Sequence, residues 1–128
     1  MHHRLAFLML VGLVGCSNGS PVGPVVEHPL NAAVTSGGLT LTNSTDTPLY
    51  YQAFEKVWGT DGLFTWAACT RPATCPSVPA HGATSVPYTS IDGYTTDARQ
   101  ALVYYWELAP AAGAEHQVRN LRSTVVNF

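Results

Sequence analysis

The chain predicts an all-β domain, a small antiparallel β-sandwich, on three observations. Short runs that alternate apolar with polar residues recur between clusters of Gly, Pro, Asn, Asp and Ser. Helical periodicity is nearly absent. Only 11% of residues are charged while 46% are hydrophobic, a balance that argues against disorder and suits strands surfaced with Thr, Ser and Tyr. A length of 128 residues holds one domain and hardly two.

Taken in order, the chain opens on an address. Met1-His2-His3-Arg4 is a weakly basic start, and Leu5 to Val14 is an uncharged apolar stretch too short to span a bilayer. Leu13-Val14-Gly15-Cys16 then resembles the lipobox of bacterial lipoprotein signal peptides. That resemblance implies cleavage before Cys16 and lipidation of its thiol. It covers only the first 16 residues. An ordinary secretory signal cut elsewhere is the alternative. Two or more acyl chains anchor stably where one does not. Ser17 is not the aspartate that retains such proteins in the inner membrane, so in a cell with two membranes the outer one is expected. Residues 1–15 are thus read as signal peptide and 16–33 as lipidated cysteine and tether. With Pro21, Pro24 and Pro29, the tether neither packs nor forms helix. It extends at most ~60 Å and averages about 20–25 Å as a coil.

The domain is expected over 34–128. Val25, Val26 and Val34 give a weak edge-strand signal. Leu39 to Thr42 alternates as a half-buried strand, and Asn43 to Pro48 is a turn cluster. Asn43-Ser44-Thr45 matches the glycosylation sequon but is read as part of that turn. Leu49 to Val57 is an aromatic-rich strand, with a turn over Gly59 to Gly62. Leu63 to Ala67 and Thr84 to Tyr88 are short strands. Ile91-Asp92-Gly93-Tyr94 is a corner, at which Tyr94 is expected to donate a structural hydrogen bond. Thr96 to Gln100 is expected to make one helical turn. Ala101 to Leu108 is the strongest strand, without Gly or Pro, as a central position requires. Leu102, Tyr104, Trp106 and Leu108 share one of its faces; Ala101, Val103, Tyr105 and Glu107 share the other. The first face is wholly apolar, so Tyr104 or Trp106 should be buried. Val118 to Phe128 closes the chain.

Six or seven short strands at this length favour the immunoglobulin-like sandwich, with a small closed barrel as the alternative. Leu39 to Asn43, Tyr50-Tyr51, Cys75-Pro76, Ile91 to Tyr94 and Tyr104-Tyr105-Trp106 together resemble a group of small bacterial lipoproteins with one immunoglobulin-like domain. The likeness implies fold and address only.

Three cysteines are present. If the lipid takes Cys16, Cys69 and Cys75 remain for a disulfide in an oxidising compartment. A redox pair is disfavoured by the spacing. A metal site would need more ligands, and His81 is the nearest candidate. No metal or other cofactor is expected.

Charge excludes one class of partner. Lys56, Arg71, Arg99, Arg119 and Arg122 form no run, and the net charge is −2, so no nucleic-acid footprint exists. A Ser85, His81 and Asp92 triad can be written on paper but has no nucleophile context. The acids stand singly, without paired-carboxylate patterning. Catalysis is therefore not expected. Many aromatics must be core, but Trp58 and Trp66, flanking the Gly59 to Gly62 turn, are candidates for an exposed surface binding protein or glycan. Three functions stay open: a non-catalytic envelope module, a structural envelope component, and an envelope hydrolase. A groove with aromatic and polar walls favours the first, a surface without concavity the second. A pocket uniting His81 with Asp92 or Ser85 favours the third.

Overall fold

The computed structural model describes residues 28–60 and 66–128, with the backbone alone at 59 and 60. The signal segment and Cys16 lie outside the described residues. Two antiparallel sheets pack as a sandwich. One has three strands in the order β1 (Leu30–Thr35), β2 (Gly38–Asn43) and β5 (Ala83–Pro87). The other has four, in the order β4 (Ser77–Val78), β3 (Leu49–Glu55), β6 (Gln100–Ala109) and β7 (Gln117–Asn127).

Alternation builds the core. In the first sheet Leu30, Ala32 and Val34 align with Asn43, Leu41 and Leu39, and the last two align with Thr84 and Val86. In the second, Ala101, Val103 and Tyr105 align with Glu55, Ala53 and Tyr51 on one side and with Val126, Thr124 and Arg122 on the other. Leucines 30, 39, 41 and 49 meet Val78, Val86, Val103 and Tyr105 between the sheets, all buried.

The register assigns the two faces of β6. Tyr104 and Trp106 do not face the other sheet; Ala101, Val103 and Tyr105 do. Trp106 is nevertheless only 1% exposed, in an internal strand, because the outer face of β6 is covered too. On that face Trp106 stands opposite Tyr50 and two residues along from Tyr104, and the cover comes from the segment between β3 and β4 through Trp66 and the Cys69 carbonyl.

Other boundaries shift for local reasons. β1 begins at Leu30, four residues before the expected start at Val34, because Leu30 fills the core and Ser44 donates to the Pro29 carbonyl at 3.1 Å. β3 stops at Glu55, and Lys56–Thr60 turns as a short helix, α1. The Glu55 carboxylate accepts from the Trp58 N–H at 2.7 Å there. Of the strand expected over 63–67, residues 63–65 lie outside the described residues, and Trp66 and Ala67 are not strand. Thr96 to Gln100 is not helical; Ala98 N–H closes a β-turn on the Thr95 carbonyl. β4, unforeseen, is confined to Ser77–Val78 by Pro76 and Pro79, which have no N–H to give a ladder.

One glycine is dictated by the packing of the first sheet. Gly38 has φ +153°, and a Cβ there would stand 2.0 Å from the Val86 carbonyl oxygen.

Candidate functional site

The segment that covers the outer face contains most of the residues singled out from sequence. Cys69 and Cys75 are bonded to each other, as the spacing suggested. The Cys69 carbonyl accepts from the indole N–H of Trp106 at 3.1 Å, so the bridged segment is pinned to β6. Trp66 is half-buried, with ring centroids 5.5 Å from Phe54, 4.7 Å from Tyr104 and 5.8 Å from Trp106. Trp58 also packs on Phe54, at 5.9 Å, and remains 39% exposed. Its ring lies over Gly93, where a Cβ would come within 2.5 Å of the indole and φ is +76°. The corner Ile91 to Tyr94 is thus shaped to seat Trp58. The two tryptophans belong to one aromatic cluster over β3 and β6, Trp66 inside it and Trp58 at its margin.

The histidine and the acid of the paper triad have other partners. The His81 ring pairs with the Asp46 carboxylate, and the Asp92 carboxylate accepts from the Gln52 amide at 2.6 Å. Ser85 is exposed on β5 opposite Thr40. Among the described residues no three His, Cys, Asp or Glu side chains gather as a metal site. No described helix is long and apolar enough to cross a membrane.

Among the described residues Asn43 is the one buried polar side chain, and it ties the sheets together. Its amide donates toward the carbonyls of Thr47 (2.7 Å), Val78 (3.2 Å) and Pro79 (3.2 Å). Its oxygen accepts from the N–H and hydroxyl of Thr45 at 2.9 and 2.7 Å. The Asn43-Ser44-Thr45 sequence is therefore a turn that closes β2.

The two ends of the sandwich differ. At one, Tyr88 and Tyr94 stack at 4.5 Å and Phe128 meets both edge-on. The hydroxyl that pins this end is that of Tyr88, donating to the Thr35 carbonyl at 3.1 Å, where Tyr94 had been expected to donate. At the other end the strands run out unequally. β6 and β7 have 10 and 11 residues, whereas β1, β2 and β5 have 6, 6 and 5. The ends of the long pair beyond Tyr105 consequently project past the shorter sheet.

Polar side chains occupy this projection: Glu107 is half-buried, and Arg119, Asn120 and Arg122 are exposed. A β-bulge aims them. Tyr105 pairs with Arg122 but Glu107 with Arg119, so Trp106 stands against two residues of β7. The extra turn is taken by Asn120, with φ +52°, and its amide donates to the Glu107 carboxylate at 2.9 Å. Asparagine is among the few residues that tolerate this left-handed conformation. Two recesses share Glu107 as their common wall. One, of about 190 Å³, is lined by Pro29, Thr45, Leu49, Tyr105, Asn120 and Arg122. The other, of about 220 Å³, is lined by Thr47, Pro48, Tyr50, Leu108, Ala109 and Arg119. Tyr51, beside Tyr105 in the register, has its phenol pKa raised above 10.0 by burial.

Sequence reasoning missed this cleft. Its charges are scattered singly along the chain, and only the mismatch in strand length and the bulge bring them together. The available signal was Glu107, which ends the otherwise apolar inner face of β6. No family model matches the chain, and neither does any curated protein or solved structure.

Proposed function

We propose that the protein is a lipid-anchored cell-envelope lipoprotein whose β-sandwich serves as a non-catalytic binding module. The observation that carries the binding role is the cleft at the open end, two recesses walled by Tyr105 and Leu49 and by Tyr50 and divided by Glu107, with Arg122 lining one and Arg119 the other. A purely structural component has no need of a bulge that turns charged side chains into a recess. Against an envelope hydrolase, His81 is engaged by Asp46 and Asp92 by Gln52, so the triad residues have separate duties.

Anchoring is supported by Leu13-Val14-Gly15-Cys16 and by the Cys69–Cys75 bridge, which suits an oxidising compartment. The immunoglobulin-like assignment is supported by the two antiparallel sheets of three and four strands. Metabolic labelling with a radioactive fatty acid tests the anchor. Wild type should incorporate label, and Cys16→Ser should not and should accumulate uncleaved. Equal label on both would end the lipoprotein reading.

A further inference from the structure

We infer that the open-end cleft binds the carboxy-terminal end of a peptide, with the terminal carboxylate on Arg122 and the preceding amide N–H on Glu107. This deepens the binding-module reading and rests on it. Three observations select that chemistry. First, among the described residues no carboxylate lies within ion-pair distance of Arg119 or Arg122, whereas Arg71 is held by Glu115 at 3.7 Å. A planar guanidinium left unpaired at a recess is matched by a carboxylate, which it can bond through two parallel N–H groups.

Second, Glu107 excludes a simple anion site. One negative charge stands between the two cations and needs a donor. The Asn120 amide supplies one donor, to a single carboxylate oxygen at 2.9 Å. The other oxygen is left for a ligand N–H. A peptide end offers carboxylate and N–H side by side in one rigid unit; a sulfate offers only acceptors, and a phosphate has no N–H to set beside them. Third, the remaining walls combine apolar and hydroxyl-bearing residues around a small space: Pro29, Leu49, Thr45 and Tyr105 beside Arg122, and Pro48, Leu108, Thr47 and Tyr50 beside Arg119. Each recess is smaller than the ~300–1,000 Å³ of a site that swallows a whole drug-sized ligand. Such recesses take a chain end with short side chains, and Arg119 stands ready for a second carboxylate upstream. Capture of a terminal carboxylate is an established recognition mode for extended peptides.

The test uses the full-length protein purified in detergent. It is titrated with the tetrapeptide Ala-Glu-Ala-Ala, fluorescein-labelled at its amino end, and with the same peptide as its carboxamide. The acid should bind. Amidation of the peptide, or Arg122→Gln in the protein, should each weaken binding by about tenfold or more, the scale of a lost charge-assisted pair. Arg119→Gln should weaken it less, and Arg71→Gln not at all. Arg122 is exposed, so its variant should melt with wild type, and a melting curve checks this. Acid and amide binding alike, or Arg122→Gln binding as wild type does, would overturn the inference. So would preference for a chitin oligosaccharide or anionic phospholipid vesicles, an outcome that keeps the binding module but changes its ligand. Failure of fatty-acid labelling removes the anchor and leaves this titration standing.

Discussion

Trp106 meets core packing on one side of its strand and an irregular cover on its own. Its ring is 1% exposed and its N–H is spent on the Cys69 carbonyl. Trp106→Ala should cost about 3–5 kcal/mol in chemical denaturation, a large share of the stability of so small a domain. Trp106→Phe keeps an aromatic body but orphans that carbonyl, and should cost less. In the sequence one face of this strand is wholly apolar and the other is apolar up to Glu107, which does not tell which one meets the second sheet. Covering residues such as Trp66 and Cys69 have no periodicity from which their target could be read. Tyr51 gives a pH-dependent counterpart. Burial favours its neutral phenol and raises its pKa in the fold. The native state therefore holds the proton more tightly than the unfolded chain. That contribution is fully present below pH of about 10 and is lost as pH rises through the raised pKa. Tyr51→Phe should thus flatten the fall in melting temperature in alkali, while the two proteins run parallel at neutral pH.

Among the elements, the regular strands were legible and the irregular ones were not. Leu39 to Thr42, Ala101 to Leu108 and Val118 to Phe128 lie within a residue or two of β2, β6 and β7 because alternation against one buried face writes itself into residue type. β4 escaped notice because Ser77–Val78 is a stub between prolines that holds the edge of β3. Helix α1 escaped because a strand-like text, Leu49 to Val57, runs on past the point where Glu55 caps the Trp58 N–H. The bridged segment can be tested as a unit. Replacing both Cys69 and Cys75 by Ser should lower stability by about 2–2.5 kcal/mol, the chain entropy of so short a loop. Because the segment between β3 and β4 carries Trp66 onto Tyr104 and Trp106, tryptophan fluorescence should shift to the red before the sheets unfold. Coincidence of that shift with the far-ultraviolet transition would show that the cover and the sandwich melt together.

At the scale of the molecule, the ends of the sandwich set the direction in which it works. Pro29 lines the open cleft, and Phe128 lies in the aromatic plug at the opposite end. The cleft was illegible in advance because it is made by strand lengths, and those are decided by where each partner strand stops. The placement of the termini has a mechanical consequence. β1 and β7 both run from the open end toward the plug, so a load held at Leu30 and applied at Phe128 pulls along the strand axes. Ladder hydrogen bonds lie across the strands. Such a load strains the whole β1–β2 ladder, Leu30↔Asn43 through Thr35↔Gly38, in shear instead of opening it pair by pair. Forced unfolding is governed by the unfolding rate, and a protein tethered at its amino end would resist tension on its far end through this ladder acting at once.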